Sequence, residues 1–149
     1  MTATDLPLIS AHRLAGPLLV TVAYVVVYYL MITYQAVVKA RLRRAYKARG
    51  ESFDRYFGAD REMLAADRMV GNMLEHMPAF LVLLWLNAIF VGPRGAALAG
   101  AAYVFSRIVY PLLMGRRLGR GVPTRIMFAT VIGYAVLAYF VARLVVAAL

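Results

Sequence analysis

Four polar side chains lie within a long apolar stretch of the chain and share one predicted helical face. They occur in the segment AADRMVGNMLEHMPAFLVLLWLNAIF at offsets of 0, 4, 7 and 8 residues, as Arg68, Asn72, Glu75 and His76. Those offsets place all four on one side of an α-helix. Ionisable groups at membrane depth are costly, so their presence indicates a polar site built between helices.

A second polar stripe is predicted in the next apolar segment. Its members recur at steps of four, three and four residues, as Tyr103, Arg107, Tyr110 and Met114. Arg107 can bind a ligand carboxylate or form a salt bridge with Glu75, and Arg68 is a second candidate partner for that glutamate. A ligand site and a structural ion pair that fixes helix packing are therefore both open.

Other chemistries are weakly supported by the sequence. His76 beside Glu75 is too small a set for a metal, because metal sites usually need three or more protein ligands, and no metal site is predicted. The chain has no cysteine, which excludes thiolate ligands and a catalytic thiol of its own. Ser106 has no evident base, and no G-x-S-x-G elbow, P-loop or G-x-G-x-x-G motif occurs.

The composition is typical of a membrane protein. Of the 149 residues, 63% are hydrophobic and only 16% are charged, whereas a soluble domain carries about 25% charged residues. A membrane span needs about 20 apolar residues. Four segments meet that length, at about 14–38, 66–91, 95–115 and 122–149. The sequence thus predicts an all-α integral membrane protein, a single domain over residues 1–149 folded as an antiparallel four-transmembrane-helix bundle.

The net charge of +10 is concentrated in two predicted loops next to apolar segments. The loop at 39–65 contains Lys39, Arg41, Arg43, Arg44, Lys47, Arg49, Arg55 and Arg61. The loop at 116–121 contains Arg116, Arg117 and Arg120. The positive-inside rule predicts that both loops are cytoplasmic and both termini lie outside. This placement explains the basic charge without a nucleic-acid partner, and none is expected.

The motif Arg68-x3-Asn72-x2-Glu75-x2-Pro78 resembles the signature of the MAPEG family, the membrane-associated proteins in eicosanoid and glutathione metabolism. The segment AYVFSRIVY, with Arg107 and Tyr110, resembles the aromatic–Arg–x2–Tyr segment of that family. Length, four spans and a long first loop agree with the resemblance, which extends over almost the whole chain.

The resemblance implies a homotrimer that holds glutathione between neighbouring subunits. Arg68 would bind a glutathione carboxylate, and Lys39 or Arg41 a second one. Asn72 and Glu75 would hold the polar backbone or the amine. The full set of implied cofactor contacts is Lys39, Arg41, Arg68, Asn72, Glu75, His76, Arg107 and Tyr110. These residue types suit an anionic tripeptide that carries one ammonium group.

Catalysis in the family depends on an arginine near the start of the fourth span, which stabilises the glutathione thiolate. Arg120 and Arg125 are the candidates here, and the residue count from Tyr110 favours Arg120. The implied activity is transfer of glutathione to lipophilic electrophiles that arrive from the membrane, or reduction of such compounds. A non-catalytic protein of the same fold that binds membrane lipids is the alternative.

Overall fold

The computed structural model describes residues 11–119 and 124–149, and all regular secondary structure in these ranges is helical. The four helices are α1 (Ala11–Ala48), α2 (Arg61–Phe90), α3 (Pro93–Met114) and α4 (Ile126–Ala148). Each is long and apolar enough to cross a membrane. The predicted all-helical membrane fold with four spans is thereby confirmed.

The helices run antiparallel, and the central pair is α2 and α3. Contacts between α1 and α2 pair residue 24 with residue 73 and residue 35 with residue 67, so one number rises as the other falls. Helix α1 packs on α2 and α3, and α4 packs on the same two helices. Within the described residues α1 and α4 do not touch, so they flank the central pair on opposite sides.

The first two helices are longer on the loop side than the sequence predicts. Helix α1 continues past residue 38 to Ala48, because the segment KARLRRAYKA consists of good helix formers that can extend into water. Helix α2 begins at Arg61, where Asp60 accepts hydrogen bonds from the N–H groups of residues 62 and 63 at 2.9 and 3.1 Å. The predicted loop at 39–65 is therefore wrong in extent, and only residues 49–60 are non-helical.

The other two helices lie close to their predicted spans. Helix α3 begins at Pro93, two residues before the predicted start, because proline is tolerated in the first turn, where its missing N–H needs no partner. Helix α4 begins at Ile126 and not at 122, and residues 124 and 125 form a turn. Residues 122 and 123 of the predicted fourth span lie outside the described part of the chain.

The core of the bundle is aromatic near its middle. The rings of Phe80 and Tyr103 stack with centroids 4.0 Å apart, and the ring of Tyr24 lies 5.0 Å from that of Phe80. The Tyr24 hydroxyl donates to the Met73 carbonyl oxygen at 2.6 Å, so a helix carbonyl in α2 gains a partner from α1. These contacts join α1, α2 and α3 in one packed layer.

The loop between α1 and α2 folds back along the two helices. Asp54 accepts hydrogen bonds from the N–H groups of Phe57 and Tyr56, both at 2.9 Å, which closes a tight turn. Those bonds, that of Phe57 first, hold the pKa of the Asp54 carboxyl below its usual value. A carboxyl with a lowered pKa stabilises the turn while it is ionised, and that contribution is lost as pH falls through the lowered pKa.

The clamp that holds this loop against α2 is centred on Asp67. Its carboxylate accepts two hydrogen bonds from the Arg55 guanidinium, at 2.8 and 2.9 Å, and a third from the Gln35 amide at 2.7 Å. A bidentate arginine–carboxylate pair is among the stronger polar contacts in proteins. Asp67 therefore connects the loop, α1 and α2 at one point.

Removal of this clamp is expected to free the loop. In Asp67→Ala, trypsin cleavage after Arg55 should become roughly tenfold faster, because the loss of a charged hydrogen-bonded pair costs about 1.5 kcal/mol. Glu51→Ala is the matched control, since Glu51 pairs with Arg49 in an exposed part of the same loop. Equal cleavage rates in the two variants would show that the clamp does not order the loop.

Candidate functional site

The polar stripe on α2 divides into two halves that face different environments. Arg68 and Glu75 are exposed on the surface of the single chain, whereas Asn72 and His76 are half-buried and face α3 and α4. A step of seven residues returns to nearly the same side of a helix, which is why the two charged residues share the outer face. The predicted stripe is thus formed, but its charged members point away from the bundle.

Arg107 is buried in the bundle and bound by neutral groups. Its side chain is only 4% exposed. Its guanidinium donates to the Asn72 side-chain oxygen at 2.6 Å, to the Ser106 hydroxyl at 3.2 Å and to the Ala129 carbonyl at 3.4 Å. The same group lies 5.0 Å from the centre of the Tyr103 ring, in cation–π range. Arg107 therefore joins α2, α3 and α4 and has few hydrogen atoms left for a ligand.

Gly133 on α4 leaves the space that the Arg107 guanidinium occupies. A Cβ atom placed on Gly133 would overlap the Arg107 Nη2 atom and would lie 3.2 Å from its central carbon. The Ser106 hydroxyl lies 3.5 Å from the same position. Gly133 is buried, and no sequence motif marks it. Sequence reasoning missed this residue, because the need for glycine arises only when α4 packs on α3.

Neither candidate ion pair for Glu75 is formed. The salt bridges among residues 11–119 and 124–149 include none to Glu75, and the guanidinium of the candidate partner Arg107 donates to Asn72. A structural pair within one chain is therefore not what retains Glu75. Its carboxyl and the Arg68 guanidinium remain available on the outer face of α2.

Tyr110 links the buried half of the site to the exposed half. Its ring packs in a cluster with Met69, Met114 and Ile126, where α2, α3 and the start of α4 meet. The charged groups nearest its hydroxyl include Arg68, and Tyr110 is buried. The predicted stripe on α3 thus runs into the same region as the outer stripe on α2.

The two basic candidates on α1 differ in how they are used. Lys39 is exposed on the helix surface. Arg41 forms an ion pair with Glu62 at the start of α2, and Arg116 lies 3.8 Å from the same carboxylate. Because Glu62 is buried, this pair belongs to the packing of α1 on α2. Lys39 is the freer of the two for a ligand carboxylate.

The two candidate catalytic arginines also differ in what the structure shows. Arg120 lies outside the described residues. Arg125 precedes the first turn of α4, and its Nη2 atom is 3.7 Å from the position of a Cβ on Gly115, which ends α3. A cation is favourable at the carboxyl end of a helix. The cluster of Met69, Tyr110 and Ile126 places this end of α4 beside the part of α2 that carries Arg68.

Two cavities bear on what the site can hold. The cavity between α2, α3 and α4, lined by Asn72, His76, Arg107 and Gly133 among others, has a volume of about 30 Å³. It is far smaller than a pocket for an organic ligand, which needs roughly 300 Å³ or more. Within the described residues no group of three metal-ligating side chains occurs, and the His76 ring packs edge-on to Tyr134 at 5.3 Å. The space beside Asn72 and Arg107 is therefore too small for an organic ligand.

The larger cavity is an apolar groove between α1 and α3. Its volume is about 520 Å³, and its walls include Met31, Tyr34, Ile108 and Leu112. Arg116 lies at the loop-side end of the groove. The groove was not predicted from the sequence, since its residues belong to separate helices and have no distinctive spacing.

Four bilayer-length apolar helices with a polar site at membrane depth define an integral, multi-pass membrane protein. The chain belongs to the MAPEG family, whose model matches residues 18–146 of its 149 residues. Members of this family are often glutathione-dependent transferases. The resemblance recognised in the α2 motif is thus confirmed over nearly the full chain. No curated protein gives a significant match.

Proposed function

We propose that this protein is a glutathione-dependent transferase or peroxidase that acts on lipophilic electrophiles as a homotrimer. The observation that carries the proposal is the outer face of α2, where Arg68 and Glu75 are both exposed, about two helical turns apart, without a salt bridge to any described residue. Family membership suggests the class of reaction. The exposed charges of Arg68 and Glu75 suggest how a charged ligand would be bound.

Charged groups at this depth need a polar partner. Arg68 lies next to Asp67, and Glu75 lies about two turns further into the apolar zone, where a carboxylate facing lipid would be costly, so a second copy of the chain and a polar ligand are expected to cover this face. Glutathione has two carboxylates and one ammonium, which match Arg68, Lys39 and Glu75 in sign. Asn72 holds Arg107 in place and so supports the site from behind.

The apolar groove supports a lipophilic second substrate. Its volume of about 520 Å³ lies within the range of roughly 300–1,000 Å³ that is usual for organic ligands. The groove opens at the membrane-facing surface between α1 and α3, so a compound dissolved in the bilayer can enter it without crossing water. The basic loop-side ends of the helices would lie in the cytoplasm and both termini outside, in line with the positive-inside rule.

The same groove favours a second candidate function, which is non-catalytic binding of a membrane lipid. The two candidates differ in whether glutathione becomes a thiolate on the protein. The enzyme should give rise to the ultraviolet absorbance of a thiolate when glutathione is added at neutral pH, because a nearby cation lowers a thiol pKa. A protein that only holds lipid should leave that absorbance unchanged.

The test of the proposal is calorimetric titration of glutathione into detergent-purified trimer. Binding should be lost or weakened at least about tenfold in Arg68→Ala and in Glu75→Ala, since each removes a charge-assisted hydrogen bond. Arg94→Ala is the control, because Arg94 is also exposed but lies at the start of α3, at the other end of the bundle from Arg68.

Two outcomes would contradict this assignment. If the wild-type protein binds no glutathione, the exposed pair serves another polar partner. If Arg68→Ala and Arg94→Ala bind with the same affinity as wild type, glutathione occupies a different surface. A shift to monomers in Arg68→Ala on size-exclusion chromatography would separate a failed assembly from a failed ligand contact.

A further inference from the structure

The turn between α1 and α2 presents two adjacent aromatic side chains that no described residue covers. Tyr56 is 85% exposed and Phe57 is 93% exposed. Large aromatic side chains are rarely so exposed unless another surface receives them. This pair is distinct from the polar stripe, the buried Arg107 site and the apolar groove.

The turn is held in a fixed shape on both sides of the pair. Asp54 accepts hydrogen bonds from the N–H groups of Tyr56 and Phe57. Arg55 is clamped to Asp67, and its guanidinium lies 5.8 Å from the centre of the Tyr56 ring, which orients that ring without covering it. Phe53 packs against a small core formed by α1 and α2. The two aromatic side chains are therefore directed outward by a built turn.

The contacts of the turn fix its level along the helices. Arg55 binds Asp67, which also accepts a hydrogen bond from Gln35, and Gln35 lies thirteen residues before the end of α1, at roughly 20 Å along its axis. Gln35 is also three residues before the end of the apolar segment at 14–38. The loop thus runs back from the end of α1 to the level at which the apolar segment of α1 ends.

In the neighbouring helices the apolar segments also end near the level of Gln35. Tyr34 packs against the buried cluster that contains Met69 and Met114, at the end of α3. The first basic residues after the end of α3 are Arg116 and Arg117. All four helices therefore pass from apolar to basic close to the level of Gln35, which is where a membrane–water interface would lie.

We propose that Tyr56 and Phe57 anchor the α1–α2 loop in the interfacial layer of the bilayer, next to anionic lipid headgroups. Aromatic rings are favoured at that depth, because one part of the layer is apolar and the other is hydrated. The exposed basic side chains on the adjoining end of α1 attract negatively charged lipids; they are Lys39, Arg43, Arg44 and Lys47.

The experiment uses the single tryptophan of the chain to place a reporter at the turn. Trp85→Phe removes the native indole, and Phe57→Trp then adds one at the turn, in full-length protein reconstituted in phosphatidylcholine–phosphatidylserine liposomes. Ser52→Trp in the same background is the control. Ser52 follows Glu51, whose N–H donates to the Tyr46 carbonyl near the end of α1, so it lies well above the proposed interface.

The indole at position 57 should emit at shorter wavelength than the indole at position 52. Lipids brominated near the headgroup end of the acyl chain should quench it at least about twofold more strongly, and bromines near the chain terminus should quench it weakly. Water-like emission without quenching would overturn the proposal. A blue-shifted emission that no brominated lipid quenches would overturn it in favour of contact with a second protein surface.

Loss of the clamp gives an independent readout. Adding Asp67→Ala to the Phe57→Trp, Trp85→Phe protein should lower the quenching by shallow bromines, because the turn is then free to leave the interface. Unchanged quenching would show that the ring does not depend on the level set by Arg55 and Asp67, and would overturn the geometric basis of the anchor.

Discussion

Gly133→Ala is expected to destabilise the folded protein by about 1–3 kcal/mol, as judged from the cost of overpacking a close-packed core. The added methyl group would occupy the space of the Arg107 guanidinium. Arg107 cannot easily withdraw, because it is held by Asn72 and by the Ala129 carbonyl, and displacement would leave a buried cation with fewer partners. The variant should unfold at a temperature several degrees lower in detergent.

Gly71→Ala is the matched control for this substitution. Gly71 lies within α2, and a Cβ at that position meets nothing within 4 Å. Alanine in place of glycine within a helix should therefore stabilise by roughly 0.5–1 kcal/mol, since it lowers the backbone entropy lost on folding. If Gly133→Ala and Gly71→Ala have the same unfolding temperature, Arg107 does not need the space that Gly133 leaves.

The second large effect is expected at the start of α4. Arg125→Ala should lower kcat/KM for glutathione conjugation about 10²–10³-fold, which is the usual loss when one group that stabilises a developing anion is removed. Binding of glutathione should persist, because the proposed carboxylate and amine contacts lie on α1 and α2. The measurement is steady-state turnover with a chromogenic electrophile, together with thiolate absorbance in the same samples.

Two further variants test whether Arg125 is the residue that stabilises the thiolate. Arg125→Lys should retain part of the thiolate absorbance, since a lysine ammonium still provides a positive charge but lacks the planar fork of arginine. Arg117→Ala, which changes an exposed basic residue of the same connection, should turn over at the wild-type rate. If Arg120→Ala abolishes turnover and Arg125→Ala does not, the role passes to Arg120, as the residue count from Tyr110 favours.

The four spans were predictable because a long apolar segment has few alternatives to a transmembrane helix. The loop-side extension of α1 was not, because residues 39–48 are charged and a hydropathy pattern ends at the first lysine, whereas a helix of alanine, leucine, lysine and arginine continues into water. Asp60 can be recognised as the N-cap of α2 only when that helix is already known to begin at the next residue.

The polar residues of the site were predictable by type and spacing, but their partners were not. Spacing predicted Arg68, Asn72 and Glu75 on one side of α2, and the structure divides that side between an exposed part with Arg68 and Glu75 and a half-buried part with Asn72. Whether Arg107 meets Glu75 or Asn72 depends on the rotation of α3 against α2, which is set by packing of the Phe80 and Tyr103 rings. The spacing of residues in the sequence contains no information about that rotation.

The lack of contact between α1 and α4 has a mechanical consequence. Within the described residues, a displacement of α1 reaches α4 through the central pair, by way of the Tyr24–Phe80–Tyr103 rings and then the Arg107 guanidinium, or through α2 and the Asn87 amide, which donates to the Phe140 carbonyl. The two outer helices thus behave as elements connected in series, and the contacts of α2 and α3 with α4, those of Asn87 and Arg107 among them, form the last coupling before α4. Loosening that coupling would let α4 move independently of α1 while every span stays folded.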